Sequence, residues 1–281
     1  LRAEVRRVVD LTTWMRRLVL GGDDLRHLVW SGAASHLKLI LPAPGRGPDV
    51  LPPAGALQPA LLDRDALTVR TYTPRAWDPL AGELSVDVLV HADGPASDWA
   101  ARAAPGDPLA VTTPLGRYDV DPAADWLVLA GDESALPAIA TILEITPPGL
   151  PTTVVAEVPG DDGPDLGAGP SVEVRWIRRR GPAGSGLEAV LSDATPAGAA
   201  HGSGVLPPAG DGRVWVACEA HAMLRLRRHL LEVRGLARGS ITTRGYWTSG
   251  RNDDPTTDGS DATGGVAPGT ARSSSDTDRT D

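Results

Sequence analysis

The sequence predicts two β architectures in one chain: a sandwich or barrel of short strands, then a parallel α/β layer. Two observations carry this. Up to about residue 112 the apolar residues fall in short runs split by Gly, Pro or Asp, as in closed all-β units. Beyond Asp121-Pro122 the runs become continuous and alternate with helical patterns, as in strands covered on both faces. A length of 281 residues suits one large domain or two ordinary ones.

In chain order, the expected strands of the first part are Val5 to Leu11, Met15 to Leu20, Leu37 to Leu41, Leu67 to Tyr72, Leu84 to Val90 and Pro108 to Thr112. The run Glu83 to Val90 alternates polar and apolar residues, the period of a half-buried strand. Pro42 to Pro59 reads as a Pro/Gly-rich loop. Ser97 to Ala104 reads as a short helix, with Ser97 placed to cap it and Pro105-Gly106 to stop it. In the second part, Trp126 to Gly131, Thr152 to Val158, Val172 to Ile177 and Arg213 to Cys218 read as strands. Leu136 to Ile145, Leu187 to Leu191 and His221 to Arg234 read as helices. Pro159 to Pro170 and Pro196 to Asp211 lack periodicity and read as loose connections. Asn252 to Asp281 is Asp, Thr, Ser and Gly with almost nothing to bury, and is expected to be disordered.

Formal net charge is −9, of which the last 30 residues carry −5 through seven Asp and two Arg. An acidic body argues against nucleic-acid binding. Lys38 is the only lysine and Phe is absent, so Trp is expected to supply much of the aromatic packing. A single cysteine, Cys218, excludes an internal disulfide and a cysteine-based metal cluster. The scattered histidines form no metal-binding pattern. No apolar run is long enough to insert in a membrane and no secretory leader pattern is found, so a reduced, cytoplasmic setting is expected.

The chemistry concentrates in two segments. Arg70-Thr71-Tyr72-Thr73 ends an apolar run and offers a cation, a flat ring and a hydroxyl. Twenty-one residues after Arg70, His91 opens a segment that includes Gly94-Pro95-Ala96-Ser97, a tight turn feeding a helix. Alternate strand residues share a face, so Arg70 and Tyr72 can point together toward one ligand. Backbone N–H groups at a helix start suit a phosphate. The pair can hold a pyrophosphate and an attached aromatic ring system, which makes a flavin dinucleotide the leading ligand. Read alone, Arg-x-Tyr-Thr is as well explained by a barrel strand with a surface arginine, and Ser97 by an ordinary cap.

These residues resemble the siderophore-interacting proteins, a branch of the ferredoxin-reductase-like flavoproteins. The resemblance covers roughly residues 1–251. It is carried by Val69 to Arg75, His91, Gly94 to Ala100, Ala130-Gly131-Asp132-Glu133-Ser134-Ala135-Leu136-Pro137-Ala138-Ile139 and Gly245-Tyr246-Trp247, in the family's order. It implies a Greek-key FAD-binding β-barrel over 1–120 and a parallel-sheet, NAD(P)H-binding-like α/β domain over 121–251. The implied activity is FAD-dependent reduction of ferric siderophores, with NAD(P)H or a ferredoxin-like protein as donor. A general flavin or ferredoxin-type reductase with another acceptor, or a siderophore carrier, are the alternatives.

Arg70, Thr71, Tyr72, Thr73, His91, Gly94, Pro95, Ala96 and Ser97 are then the flavin-binding candidates. The resemblance places Thr73 near the flavin's reactive edge. Asp132, Glu133 and Ser134 follow the first strand of the second part, where nucleotides sit in open parallel sheets. Two carboxylates there repel a phosphate, or cap the following helix instead. Arg178, Arg179, Arg180 and Arg244 are candidates for an anionic ferric siderophore. For the three consecutive arginines, a 2′-phosphate contact or a plain solvated surface are the other readings. Cys218 is expected to be a packed residue rather than a nucleophile. The chain departs from the family at Leu115, where an arginine is common, at Cys218, where glycine is usual, and at Thr248, where arginine is frequent.

Overall fold

The computed structural model describes residues 1–53, 63–91, 94–192 and 210–250. The expected tail, most of the 196–211 connection and part of the 42–59 loop lie outside the described residues.

The first sheet holds β1 (Arg2–Asp10), β2 (Met15–Gly21), β3 (Leu37–Pro42), β4 (Leu67–Tyr72), β5 (Pro74–Asp78), β6 (Glu83–Leu89) and β7 (Pro108–Val111). Every pairing is antiparallel, in the order β4-β3-β7-β1-β2-β6-β5. Consecutive strands β4 and β5 are therefore the two outermost strands of the sheet. Only Thr73 joins them, so the outer edges are brought together and the sheet curls into a half-barrel. Its interior is filled by Val5, Leu18, Leu20, Leu37, Leu39, Leu84, Val86 and Leu109, all buried. Helix α1 (Pro95–Arg102) follows β6 and packs Ala96 and Ala100 onto this core.

The second sheet is parallel. It holds β8 (Trp126–Asp132), β9 (Thr152–Val158), β10 (Val172–Arg178), β11 (Gly212–Glu219) and β12 (Ile241–Trp247) in the order β10-β9-β8-β11-β12. Helices α2 (Leu136–Ile145), α3 (Ser185–Ser192) and α4 (Ala220–Glu232) connect or cover the strands. β8, β9 and β11 are buried almost throughout, which is why they read as continuous apolar runs. Strand order reverses between β8 and β11. The crevice beyond their carboxyl ends is where ligands sit in open α/β sheets.

One hydrophobic cluster spans both sheets. Met15 and Ala33 of the first part join Leu129, Ile139, Ile142, Val154 and Trp215 of the second. Trp215, 1% exposed, is met edge-on by Tyr118 and Tyr246, at ring-centroid distances of 6.5 and 6.3 Å. The Ala34 N–H donates to the Thr141 hydroxyl at 2.9 Å and Arg75 pairs with Glu144 at 2.5 Å, tying the loop before β3 and strand β5 to α2. The two sheets thus meet through a packed, partly polar seam.

Two strands were not expected from the sequence, β5 and β12. Both are outermost strands. β5 opens on Pro74, which an edge strand tolerates because its N–H side need not pair. β12 is half-buried along its whole length, Ile241-Thr-Thr-Arg-Gly-Tyr-Trp247, and so lacks an apolar run. Helix α1 also begins earlier than expected. Its N-cap is Gly94, not Ser97.

Candidate functional site

The first candidate site is built around the β4–β5 joint. Across β3, Arg70 faces Leu39 and Tyr72 faces Leu37. Leu37 and Leu39 belong to the barrel core and Tyr72 packs against it. Arg70 and Tyr72 thus share the inner face, as alternation requires. Thr71 lies on the opposite face opposite Lys38, whose Nζ donates to the Thr71 hydroxyl at 2.8 Å. Lys38 is the residue here that sequence reasoning passed over; its being the sole lysine was the available signal. The Arg70 guanidinium folds back to donate to the Val69 carbonyl at 2.8 Å. Thr73 is buried at 7% exposure.

Next to this joint lies the start of α1, which contacts β4 and β6. Gly94 has φ +142°, a backbone conformation that L side chains rarely adopt, and a Cβ there would meet His91 Cε1 at 3.4 Å. The tight corner therefore requires glycine. The first bond of the helix runs from the Asp98 N–H to the Gly94 carbonyl at 2.8 Å. The N–H groups of Ala96 and Ser97 precede it in the first turn, and Pro95 has none to offer. Ser97 departs from its expected role. Its hydroxyl accepts from the His91 N–H at 2.8 Å and donates to the His91 carbonyl at 2.9 Å. Its proton is spent on closing the 91–97 corner, so neither a helix cap nor a side-chain phosphate bond is made by that hydroxyl. His91, exposed, lies over Gly94.

The carboxyl edge of the parallel sheet is arranged in the opposite sense. Three buried carboxylates sit there: Asp132, Glu157 and Glu219. Glu157 accepts from the Gly186 N–H at 2.9 Å, Leu187 N–H at 3.2 Å and Gly184 N–H at 3.1 Å, all at the start of α3. Glu219 accepts from the His221 N–H at 2.8 Å and the Ala222 N–H at 2.9 Å, at the start of α4, and from the His221 ring at 2.9 Å. Asp132 accepts from the Glu219 N–H at 2.9 Å, the Trp247 indole N–H at 2.8 Å and the Ser134 N–H at 3.0 Å, and the Ser134 hydroxyl also bonds to it. The N–H groups that a parallel sheet commonly turns toward a phosphate are filled here by the protein's own anions. Gly131 adds to the closure, because a Cβ there would lie 2.6 Å from the Ala217 carbonyl oxygen.

This arrangement departs from the ligand-binding expectations for Asp132, Glu133 and Arg179 and takes the capping alternative for Asp132. Asp132 is fully buried and caps the turn into α2, so it presents no group to a nucleotide. Burial and the nearby Glu133 push its pKa up to about 6. Glu133 is engaged by Arg179 through paired bonds. Arg179 itself turns inward, its Nε donating to Glu157 at 2.9 Å, and is held by two carboxylates rather than displayed for an anionic chelate. The three consecutive arginines differ in environment. Arg178 is exposed and pairs with Asp161 at 2.9 Å, and Arg180 is exposed. Arg244, half-buried on β12, donates to the Thr243 carbonyl at 3.2 Å. Cys218 is fully buried and burial raises its thiol pKa, so it is an inert packed residue.

Tyr246 is the extra residue of a β-bulge between β12 and β11, where Gly245 pairs with Cys218 and Trp247 with Glu219, and its ring meets Trp215 edge-on. Glu157, Glu219 and Tyr246 were not singled out as site residues in the sequence, because their partners lie far away in the chain.

The chain matches known proteins over most of its length. Residues 4–118 match the siderophore-interacting FAD-binding domain and residues 124–250 match the siderophore-interacting protein domain. The crystal structure of a siderophore utilization protein from T. fusca superposes with a TM-score of 0.72 at 31% identity, covering 90% of this chain and 95% of that one. The ferric vibriobactin reductase ViuB of Vibrio cholerae is 28% identical over 85% of both chains. The NADPH-dependent ferric-chelate reductase of Escherichia coli is 34% identical over 50% of this chain and 54% of its own length. Two matched domains that together span almost all the described residues leave one conclusion: the chain belongs to the siderophore-interacting protein family.

Proposed function

We propose that the protein is an FAD-dependent reductase of ferric siderophores, acting in the cytoplasm. The observation that carries this is the β4–Thr73–β5 joint lying beside the Gly94 corner. The donor set there suits a flavin dinucleotide. Arg70 supplies charge-assisted bonds to a pyrophosphate. The Ala96 and Ser97 N–H groups, at the positive end of α1, suit its second phosphate. Tyr72 offers a ring face on the barrel's inner side. β4 and β5 are each paired along one edge only, which leaves a slot for the polar rim of a planar ring. Residues 1–120 then form the FAD-binding domain and 121–251 its electron-input partner. Bound there, FAD supplies a carrier that takes two electrons from a donor and releases them singly to Fe(III).

The protein's share is to bind, to orient and to exclude water. The overall balance is one NAD(P)H and two Fe(III) giving NAD(P)⁺, one proton and two Fe(II). Fe(II) is held less tightly by hard oxygen ligands, so reduction releases it. Arg180 and Arg244 are the arginines left to attract an anionic chelate.

Two donors have support. The name of the E. coli relative supports NADPH. The filled carboxyl edge of the parallel sheet supports a ferredoxin-like protein donor, because the Asp132 and Glu219 carboxylates hold N–H groups of the turns that follow β8 and β11. The test is anaerobic. FAD-reconstituted protein is mixed with NADH, NADPH or reduced ferredoxin, and then with a panel of ferric catecholate, hydroxamate and carboxylate siderophores. Flavin bleaching by one donor, followed by Fe(II) capture with one chelate class, is expected. Protein that takes up no FAD at excess cofactor ends the proposal. Arg70→Ala should weaken FAD binding about tenfold, the scale of one lost charged hydrogen bond; equal affinity in a fluorescence titration removes Arg70 from the phosphate site.

A further inference from the structure

Helix α4 and the turn after it carry five arginines within 14 residues: Arg225, Arg227, Arg228, Arg234 and Arg238, with Glu232 the one acidic side chain in that stretch. Buried Ala222, Leu226 and Leu230 fix the side of the helix that faces the sheet, so the helical arginines stand on its other sides. Arg228 and Arg238 are exposed, and Arg227 and Arg234 are half-buried. Elsewhere surface arginines have a carboxylate beside them. Arg16 pairs with Asp10 at 2.7 Å, Arg117 with Asp119 at 2.9 Å and Arg175 with Glu173 at 2.7 Å. Arg225 follows this pattern and pairs with Glu188 of α3 at 2.7 Å. Among the described residues, Arg227, Arg228, Arg234 and Arg238 have no carboxylate at ion-pair distance. A chain with a formal net charge of −9 thus presents a basic face with no local counter-ion.

We propose that the acidic segment 252–281 docks on this basic face of its own chain. Its charge fits: seven Asp and two Arg give it −5 of the formal −9. Its point of entry fits too. The Ser249 N–H donates to the Glu219 carboxylate at 3.2 Å, and Glu219 is the N-cap of α4, so the chain is held at the helix start a few residues before the segment begins. Reach is no obstacle. A helix of 13 residues is about 20 Å long, and 30 residues can extend about 100 Å. Docking by charge requires no apolar surface from the segment, which is Asp, Thr, Ser and Gly with almost nothing to bury. Each exposed pair is weak, but the tether keeps the local concentration near millimolar and several pairs act together. The segment is then an internal counter-ion. It masks the α4 arginines, and any other polyanion must displace it. This inference does not depend on the flavin reading.

The test places a nitroxide on the segment in the full chain, through Ser273→Cys. Cys218 is fully buried with its thiol pKa raised, so the new thiol is the reactive one. Backbone amide resonances are read at about 0.02 M and about 0.5 M salt, which bracket the screening of surface charge. At low salt the α4 amides around Arg228 should lose most of their intensity, and at high salt they should regain it. Two further proteins are read in the same way: the quadruple variant Arg227→Gln/Arg228→Gln/Arg234→Gln/Arg238→Gln, and a chain with the seven Asp of the segment changed to Asn. Each should keep the α4 signals at low salt, with a thermal midpoint close to the parent. Polyglutamate, as a competing polyanion, should bind the Asp→Asn chain more tightly than the parent. No selective loss at α4, or a loss that survives high salt or either set of substitutions, overturns the docking. Loss in isotope-labelled chains mixed with separate nitroxide-bearing chains would put the segment on a second copy and overturn it as well. Equal polyglutamate affinity removes the masking role.

Discussion

Among the described residues, the start of α1 and the starts of α3 and α4 differ in what meets their first-turn N–H groups. At the start of α1, the corner fixed by Gly94 leaves the first-turn N–H groups of Ala96 and Ser97 beside Arg70's strand. At the starts of α3 and α4, the equivalent groups are satisfied by Glu157 and Glu219 from neighbouring strands. Helix starts favour negative charge wherever they occur. Whether the charge comes from a ligand or from the chain itself decides between a binding site and a structural joint. A parallel sheet with a topological switch point is therefore insufficient grounds for a nucleotide site.

The largest expected effect breaks the filled edge. Glu157→Ala leaves the Gly184, Gly186 and Leu187 N–H groups without their acceptor and takes one of two carboxylates from Arg179. Stability should fall by about 3–5 kcal/mol, the scale of a broken buried ion pair, read by urea denaturation. A loss below about 1 kcal/mol would mean that the edge is not held together this way.

Breaking the open corner should act on binding instead. Gly94→Ala places a Cβ at φ +142° and against His91. A corner that relaxes to shed this strain of about 1–3 kcal/mol should lower FAD affinity about five- to 150-fold in a fluorescence titration. Unchanged affinity would detach the corner from the cofactor.

The contrast sharpens with pH. Asp132 has its pKa raised by burial and by Glu133 to about 6, from 3.8. The folded state thus holds this proton more tightly than the unfolded chain does. The resulting stabilisation is complete below about pH 4 and lost as pH rises through about 6, an effect of order 1–3 kcal/mol. Glu219 runs the other way. Burial pushes it up, but hydrogen bonds from Ala222, His221 and Ser249 outweigh this and lower its pKa, so its contribution is lost in acid. Asp132→Asn should flatten the stability profile between pH 4 and 6 and leave the more acidic limb in place. A parent and variant with parallel profiles across that window would remove Asp132 as the source. The smallest effect is expected at Arg178→Ala, about 0–1 kcal/mol, because its pair with Asp161 is exposed. A larger loss in the same denaturation assay would give that surface a structural role.

Sequence reasoning reached the elements whose signal is local. The buried strands β8, β9 and β11 were legible because both faces are covered, and Arg70 with Tyr72 because strand alternation is a two-residue rule. β5 and β12 were not, since outermost strands bury too little to leave an apolar period. Arg179 looked like part of a cationic run. Its true partners, Glu133 and Glu157, lie 46 and 22 residues away, and nothing in the run announces them. Ser97 stood where a cap belongs, yet Gly94 could take that position and free the hydroxyl to close the loop onto His91. The bulge at Tyr246 depends on the register of a neighbouring strand, which a single chain of letters does not display.

The lone threonine between β4 and β5 sets a limit on breathing. Two links of backbone span at most about 7 Å, so near Thr73 the rims of the cylinder are tethered while farther along they can splay. The slit is a wedge whose narrow end cannot drift open with temperature. Anything flat lodged at that end would keep a constant stand-off from the protein, and lengthening the tether by one inserted residue would be the most economical way to loosen its grip.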